Sequence, residues 1–585
     1  MRSCDSSVTT MGRSIHPALL AVSIIASGLC VMYIHSEYKL RSETVVQTAL
    51  EPCIHAPIER IEPDCPPPVA TVVAEDMVRE KIVYIEKPGR RDLHYPIMLY
   101  EGFGKHPESA SIVAENEGAA NILFYLWCGA GRFFEFKHML SVLSAIKIQQ
   151  PIKVMLFHWK DAEPKQDLYN NWLEELQKTF YNFEINEVTS AIPMPADCSD
   201  PQQMSSVLSA FLAGHGGIYM NENVILRHPV NEFRMKSFVL KQTNGYPGVV
   251  IARGVSKEEL DAPRASTYCV AHNKFQTGSA DYCVSMDFAK IYPRDIMTSD
   301  SAFDTAARQL FYGSEVKKEP VFDLSNPIPN IGHFYLIGDN FITFFIYLSI
   351  ASMVNVLKVD AVYVHGDVEP HGDYWTRLLD TGKIKFVYCP PIEKVFGNAI
   401  DPGDKFHGKD ILSVYFLYIY GGVFIDWDAV FTRPLDDAVR GYDTVLGFDW
   451  FIPDEAPAFP EVINPGVLAA KRHSVFISMW LEEYKNFGKG GFYYTGLLVP
   501  YKIYEHYPET VRLDTKFQVI CWMDTCHPPW MDGYTNPKFH SEFDWESVYS
   551  VHFTYPDPFE FANEIALKNA TTMYGRMGQR VMGWS

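Results

Sequence analysis

Apolar residues along this chain fall into blocks that switch repeatedly between strand-like and helix-like spacing. NILFYLWC at 121–128 is apolar at nearly every position, as a strand buried on both faces of a parallel sheet reads. FEFKHMLSVLSAIK from Phe134 carries its apolar residues at helical spacing. IKVMLFH, ending at His158, is again a strand, and NFEINEV from Asn182 follows after a short helix. The stretch MSSVLSAFLAGHGGIYMNENVILRHP from Met204 then predicts a helix, a Gly-Gly break and a further strand.

The same succession returns downstream. GHFYLI at 332–337 shares the FYL core of the first strand, and TFFIYLSIASMVN from Thr343 repeats the helix. DAVYVH ends at His365 as its counterpart ends at His158, and IKFVYC from Ile384 supplies the next strand. KDILSVYFLYIYGGVFIDWDAVFTRP from Lys409 aligns without a gap to the stretch from Met204. Gly216-Gly217 matches Gly421-Gly422 and Pro229 matches Pro434, all at a spacing of 205 residues. Strands alternating with helices predict βαβ units and a mostly parallel sheet, one in each copy, so the expectation is two tandem α/β domains.

Ahead of these copies, residues 17–34 read PALLAVSIIASGLCVMYI, apolar and uncharged, near the lower limit for crossing a bilayer. An uncleaved signal-anchor is the preferred reading, a cleaved secretory signal the alternative, with Ala26, Ser27 and Gly28 as its small residues. The Pro-bearing, aperiodic stretch that follows suits a stem. The expected organisation is a tail (1–16), a transmembrane anchor (17–34), a stem (35–95), a first domain (96–325) and a second domain (326–585), both lumenal. Of eleven Cys, Cys4 precedes the span and Cys30 lies in it, leaving nine on the far side. Nine is odd, and Cys53 and Cys65 are the candidates for a bridge between two chains. Cys521 and Cys526 could close a small loop.

Composition narrows the function. Hydrophobic residues at 47% against 21% charged describe core-forming domains, not a disordered chain. Fifty-one Lys and Arg against 71 Asp and Glu leave a net charge of −20, which argues against a nucleic-acid partner.

Chemistry is concentrated in the second copy, where Asp426-Trp427-Asp428 follows the GGVF strand. Carboxylates at i and i+2 on a continuing strand would face the same side, at the strand end where open α/β sheets bind ligands. Two such charges need a cation, and a hard divalent ion shared with a diphosphate meets that need. In the first copy the aligned residues are Asn221, Glu222 and Asn223, and Asp410 is matched by Ser205. All three acids of the second copy are therefore missing from the first.

The block Asp410-Ile-Leu-Ser-Val-Tyr-Phe-Leu-Tyr-Ile-Tyr-Gly421-Gly422-Val-Phe-Ile-Asp426-Trp-Asp428 resembles the D-x-L-R-x-x-x-L-x-x-x-G-G-x-Y-x-D-x-D pattern of glycosyltransferases with a DXD sugar-binding region. That group includes fungal Golgi α-1,6-mannosyltransferases and animal α-1,4-N-acetylglucosaminyl- and galactosyltransferases. PIPNIGHFYLIG at 327–338, EVINPGVLAAKRH at 461–473, the pair Thr495-Gly496 and the late His552 also resemble it. Ser413 stands where the family usually has Arg.

The resemblance implies two tandem GT-A-like domains, the first a degenerate relative. It implies Asp428 and Asp426 as metal-binding and catalytic acids, Asp410, Gly421, Gly422 and Asn464 as donor contacts, and Mn²⁺ or Mg²⁺ as the ion. It further implies a UDP- or GDP-sugar donor, a glycan, glycoprotein or glycolipid acceptor, retention of anomeric configuration, and a type II Golgi membrane protein. Two other readings stay open. One is a non-catalytic binding protein. The other is a phosphohydrolase, since Asp426-x-Asp428-x-Val430 also fits a D-x-D-x-[TV] nucleophile strand.

Overall fold

The computed structural model describes residues 118–188, 191–235, 238–252, 268–338, 340–401, 405–449, 459–488, 494–522, 544–555 and 564–584. The apolar run at 17–34, the stem with Cys53 and Cys65, and Cys526 lie outside them. Among the described residues no helix is long and apolar enough to cross a membrane.

The first half builds β1 (Ile122–Trp127), α1 (Phe136–Ser144), β2 (Lys153–His158), α2 (Trp172–Thr179), β3 (Phe183–Glu187), α3 (Pro201–His215), β4 (Gly217–Met220), β5 (Val224–Leu226), β6 (Phe238–Lys241), β7 (Pro247–Ala252), β8 (Val270–Ala271) and β9 (Cys283–Ser285). Its main sheet runs β3-β2-β1-β4-β7-β6, parallel from β3 to β4 and antiparallel beyond. A small sheet, β5-β9-β8, adjoins it. Two helices, α4 (Pro293–Thr298) and α5 (Ala302–Tyr312), lead to the second half.

There follow β10 (Ile331–Leu336), α6 (Phe344–Ser352), β11 (Ala361–Gly366), α7 (Asp373–Asp380), β12 (Ile384–Tyr388), the short pair β13 (Lys394–Val395) and β14 (Asn398–Ala399), and α8 (Lys405–Tyr420). Then come β15 (Gly422–Ile425), β16 (Ala429–Phe431), β17 (Thr444–Phe448), β18 (Ile463–Ala470), α9 (Val475–Glu483), α10 (Val499–His506), β19 (Arg512–Leu513), β20 (Val519–Trp522), β21 (Ser550–Tyr555) and α11 (Met573–Val581). The second main sheet runs β12-β11-β10-β15-β18-β17-β19, and its small sheet runs β16-β21-β20.

Strand for strand, the two halves have the same order and the same parallel or antiparallel senses, with β19 added at one edge. The small sheets agree as well: β5 and β16 are each antiparallel to a neighbour that runs parallel to the third strand. Helices α1 and α6 both pass into a π turn and stop at a left-handed residue, Gln150 (φ 51°) and Lys358 (φ 60°).

The glycine pairs show why the helix–GG–strand block is constrained. Gly421 and Gly422 have φ of +66° and +105°, and a Cβ on Gly422 would lie 2.6 Å from Ile331 O. Any side chain there would push β15 off β10. Gly217 is in the same position, with φ +117° and its Cβ site 2.8 Å from Ile122 O. A non-glycine residue would pay both the left-handed strain and the clash.

The described residues all fall within one compact unit. Within it, α10 joins the two halves: Tyr169 Oη donates to both oxygens of Glu505 (2.9 and 2.8 Å), and Lys502 Nζ lies 3.4 Å from the Trp172 ring centre. Two disulfides, Cys128–Cys198 and Cys269–Cys283, staple the first half. Neither pairing was legible in cysteine spacing. Cys521 is disulfide-bonded, and Cys389 is a buried thiol.

Candidate active site

Asp426 and Asp428 do not lie on a continuing strand. β15 ends at Ile425, the chain turns with Ala429 N–H donating to Asp426 O (3.2 Å), and β16 begins in the other sheet. The carboxylates reach one side through this turn, not through strand alternation. Gly466 O accepts from Asp426 N–H (2.7 Å), and Asp428 O accepts from Phe553 N–H (2.9 Å), so both backbones are pinned. Trp427 packs edge-on against Phe345, with ring centres 5.7 Å apart, which leaves the crevice to the acids.

The pinning on β21 brings in His552, which pairs with Ala429 across the small sheet. Ligand atoms of Asp426, Asp428 and His552 all lie within 4.8 Å of one another, and all three residues are buried. His552 Nε2 is 2.9 Å from Asp428 Oδ1, yet that oxygen is buried with no hydrogen bond of good geometry. On its other side, Nδ1 is 3.0 Å from Asn464 Oδ1 and 2.9 Å from Gln518 Nε2. Asn464 Oδ1 favours a proton on Nδ1 and Gln518 Nε2 a bare one; both contacts fix the ring so that Nε2 faces the carboxylates, the way partners behind a metal-binding imidazole orient it. Burial works against a charged His552, but Asp428 outweighs it and raises the ring's pKa.

Asp410 is the sixth residue of α8, beyond the first turn, so it is no helix-start charge. It is buried, and burial raises its pKa. Next to it is Lys409, whose role the sequence did not reveal. Lys409 Nζ donates to Asp426 Oδ2 and lies 3.3 Å from Asp410 Oδ1. Burial would lower its pKa, but Asp426 and Asp410 reverse that and hold it raised. The available signal was a Lys-Asp pair opening an otherwise apolar helical run.

The other expected donor contacts are placed differently. Asn464 is on β18, not in a turn, and its Oδ1 accepts from Gln518 Nε2 (2.6 Å) and Gly466 N–H (2.7 Å) while facing His552. It stands behind the histidine. Gly421 precedes β15 and Gly422 opens it, roughly 10 Å or more of strand from Asp426. The structure therefore does not bring the glycine pair to the carboxylates. It positions the strand that carries them.

These residues fit a divalent cation. Three carboxylates against one ammonium leave two negative charges, which a single divalent ion neutralises. Asp410 Oδ1 has Lys409 Nζ at 3.3 Å and Asp428 Oδ1 has His552 Nε2 at 2.9 Å, yet neither contact makes a hydrogen bond of good geometry, so both buried oxygens keep acceptor capacity that a divalent ion would use. Two carboxylates with an imidazole suit Mn²⁺ better than Mg²⁺, which prefers oxygen ligands.

Register between the halves locates the counterparts. Met220 pairs with Val249 as Ile425 pairs with Val467, so Tyr246 holds the place of Asn464. Val224 pairs with Ser285 as Ala429 pairs with His552. Ala271 pairs with Ser285 as Ile520 pairs with His552, so Cys269 holds the place of Gln518. With Ser205, Asn221 and Asn223, the first half lacks every charged member of the second half's cluster.

No protein-family model matches the chain. Over 213 residues, 36% of this chain, it is 25% identical to glucan organizing enzyme 1 of Cryptococcus neoformans var. grubii, and it spans 55% of that relative's length. Solved structures it resembles include the PaToxG glycosyltransferase (15% identity, TM-score 0.24, 31% of this chain and 71% of that one). The galactosyltransferase LgtC with donor and acceptor sugar analogues gives 13% identity and a TM-score of 0.27, over 43% of this chain and 95% of that one. The apo glycosyltransferase GlyE of Streptococcus pneumoniae gives 10% identity and a TM-score of 0.20, over 55% and 88%.

Proposed function

We propose that the second half is a metal-dependent glycosyltransferase domain of GT-A type, and the first half a tandem relative without the metal site. The observation that carries this reading is the Asp426–Asp428–His552 cluster, held at the carboxyl end of a central strand with Asp410 and Lys409 beside it. Asp426, Asp428 and His552 would hold Mn²⁺. When bound, that ion stabilises the negative charge of a departing nucleoside diphosphate.

The chain's own groups do the rest. Asn464 and Gln518 fix the His552 ring, and the Lys409 ammonium holds Asp426 in place. Asp410, buried and bridged to Asp426 by Lys409, would accept a hydrogen bond from a donor hydroxyl. The substrate class is a UDP- or GDP-linked hexose or N-acetylhexosamine, transferred with retention to a glycan, glycoprotein or glycolipid. The setting we assign is the Golgi lumen, behind a type II anchor at 17–34, with stem cysteines available for a disulfide-linked dimer.

One observation favours a non-catalytic binding protein instead: Lys409 already supplies a fixed cation between Asp410 and Asp426. A single experiment separates the readings. The purified protein is melted with a panel of nucleotide sugars, with and without Mn²⁺, and assayed for donor hydrolysis and transfer. The catalytic reading expects one donor to raise the melting temperature only with Mn²⁺ and to turn over, because a ligand stabilises by its own affinity. Stabilisation without turnover for every donor and acceptor tried favours the binding protein.

A further inference from the structure

The first half lacks the charged cluster but has a cavity at the matching place. A cleft of about 340 Å³ opens where Asn221 and Asn223 leave β4, the place that Asp426 and Asp428 occupy in the second half. That volume lies within the ~300–1,000 Å³ range of ligand sites. We infer that this cleft is a metal-independent binding site for a neutral saccharide.

Its polar wall is made of amides. Asn221, Asn223, Gln242 and Asn244 line it, and a carboxamide carries both donors and an acceptor, which matches the dual character of sugar hydroxyls. Internal bonds fix three of them in advance: Asn221 Oδ1 accepts from Asn223 N–H and Asn244 Oδ1 from Tyr246 N–H (2.9 Å each), and Gln242 Oε1 accepts from Ser285 Oγ (3.3 Å), each oxygen keeping a second lone pair. Asn221 and Gln242 are buried. Tyr246 adds an aromatic wall and is anchored by its hydroxyl, which donates to Cys198 O (3.0 Å).

Charge decides against a nucleotide or a metal. The one cation among the lining residues is Arg132, and its guanidinium is already committed. It donates to Glu222 Oε1 (2.9 Å) and to Cys128 O (2.7 Å), and it lies 4.3 Å over the Trp127 ring. Glu222 is the one lining acid, and Arg132 neutralises it. The cleft thus has no spare positive charge for a diphosphate and no carboxylate pair for an ion. It is also built in advance: the Cys128–Cys198 disulfide closes one wall, so little ordering cost remains for a ligand.

This inference rests on the glycosyltransferase reading only for its biological sense, as a site holding part of a glycan acceptor. Its test does not depend on turnover. Binding of neutral gluco- and manno-hexaoses to the full chain is measured by calorimetry in EDTA, on an Asp428→Asn background. Asn244→Trp and Ser199→Trp, both at exposed positions lining the cleft, each fill part of it. The expected result is that a hexaose binds without metal, and that each Trp variant, with an unchanged melting temperature, weakens it tenfold or more.

Hexaose binding that both Trp variants leave intact overturns the inference, as does binding that requires Mn²⁺. So does a cleft that takes UDP or GDP in preference to any saccharide, or a chain that binds none. Failure here alongside normal donor turnover in the wild type would leave the catalytic reading standing.

Discussion

His552 Nε2 sits 2.9 Å from Asp428 Oδ1, joining β21 to the turn that leads into β16, its distant partner in the chain and its neighbour in the small sheet. The oxygen is buried and the contact lacks good hydrogen-bond geometry, so Asp428 keeps acceptor capacity beyond its pairing with His552. If Mn²⁺ binds there, removing either side removes a ligand. Asp428→Asn should lower transfer by at least about 10²–10³-fold, the usual cost of losing one element of transition-state charge stabilisation. His552→Ala should do likewise, with circular dichroism unchanged in both. Retention of Mn²⁺-dependent transfer by Asp428→Asn would remove this site from the chemistry.

Asn464 should act through His552 and not on the sugar. Its Oδ1 is within 3.0 Å of His552 Nδ1 and accepts from two other donors, so it orients the ring. Asn464→Ala is expected to weaken Mn²⁺ binding by about 10–100-fold, the range for partners that orient metal ligands. Donor affinity at saturating Mn²⁺ should change little. Mn²⁺ titration followed by electron paramagnetic resonance, beside donor KM, reads the two effects apart.

Lys409 holds Asp426 and Asp410 together in a buried setting. Lys409→Met leaves two uncompensated carboxylates, and breaking a buried ion pair on one side costs about 3–5 kcal/mol. The variant should therefore melt well below the wild type in EDTA and regain part of the difference in Mn²⁺. Equal melting temperatures in EDTA would mean that the ammonium contributes little there.

How much of this could be read in the sequence follows from what each feature depends on. The main strands and helices were legible because their apolar spacing is local: NILFYLWC and GHFYLI both became central strands. Asp410, Asp426 and Asp428 stood out because carboxylates inside apolar runs demand a partner. The turn at Asp426 was not legible, because GGVFIDWDAVF reads as one strand until a second sheet draws β16 away. His552 was noted only by resemblance, since its place beside Asp428 depends on a pairing of β16 with β21 that no local spacing encodes. Lys409 was missed because a Lys beside an acid on a helix ordinarily points to water. The disulfides could not be read because many pairings of nine cysteines fit the same spacing.

Restoring the acids alone should not restore a site to the first half. Asn221→Asp with Asn223→Asp recreates Asp-x-Asp, but Ser205 and Ser285 still stand where Asp410 and His552 are needed. Tyr246 and Cys269 replace the pair that orients the histidine. On an Asp428→Asn background the double variant should show no transfer above the background and no tight Mn²⁺ binding. Measurable turnover would show that the carboxylate pair suffices without its supporting shell.

The joint between the halves should carry a pH dependence of its own. Burial raises the Glu505 carboxyl to about 8, against the pull of Lys502 and the Tyr169 hydroxyl. An acid whose folded pKa lies above its unfolded value is favoured in the fold while protonated. Its contribution is therefore complete below about 4.5 and is lost as pH rises through about 8. Glu505→Gln keeps a neutral side chain of the same shape at every pH. Compared with the wild type, the variant should be no more stable at pH 5 and should gain several degrees of melting temperature by pH 8. Other groups titrate over this range in both proteins, so the difference between the two melting curves is the quantity to follow. A difference that stays flat from pH 5 to 8 would mean that Glu505 ionises as freely in the fold as in the unfolded chain, and that Lys502 and Tyr169 stabilise its charge fully.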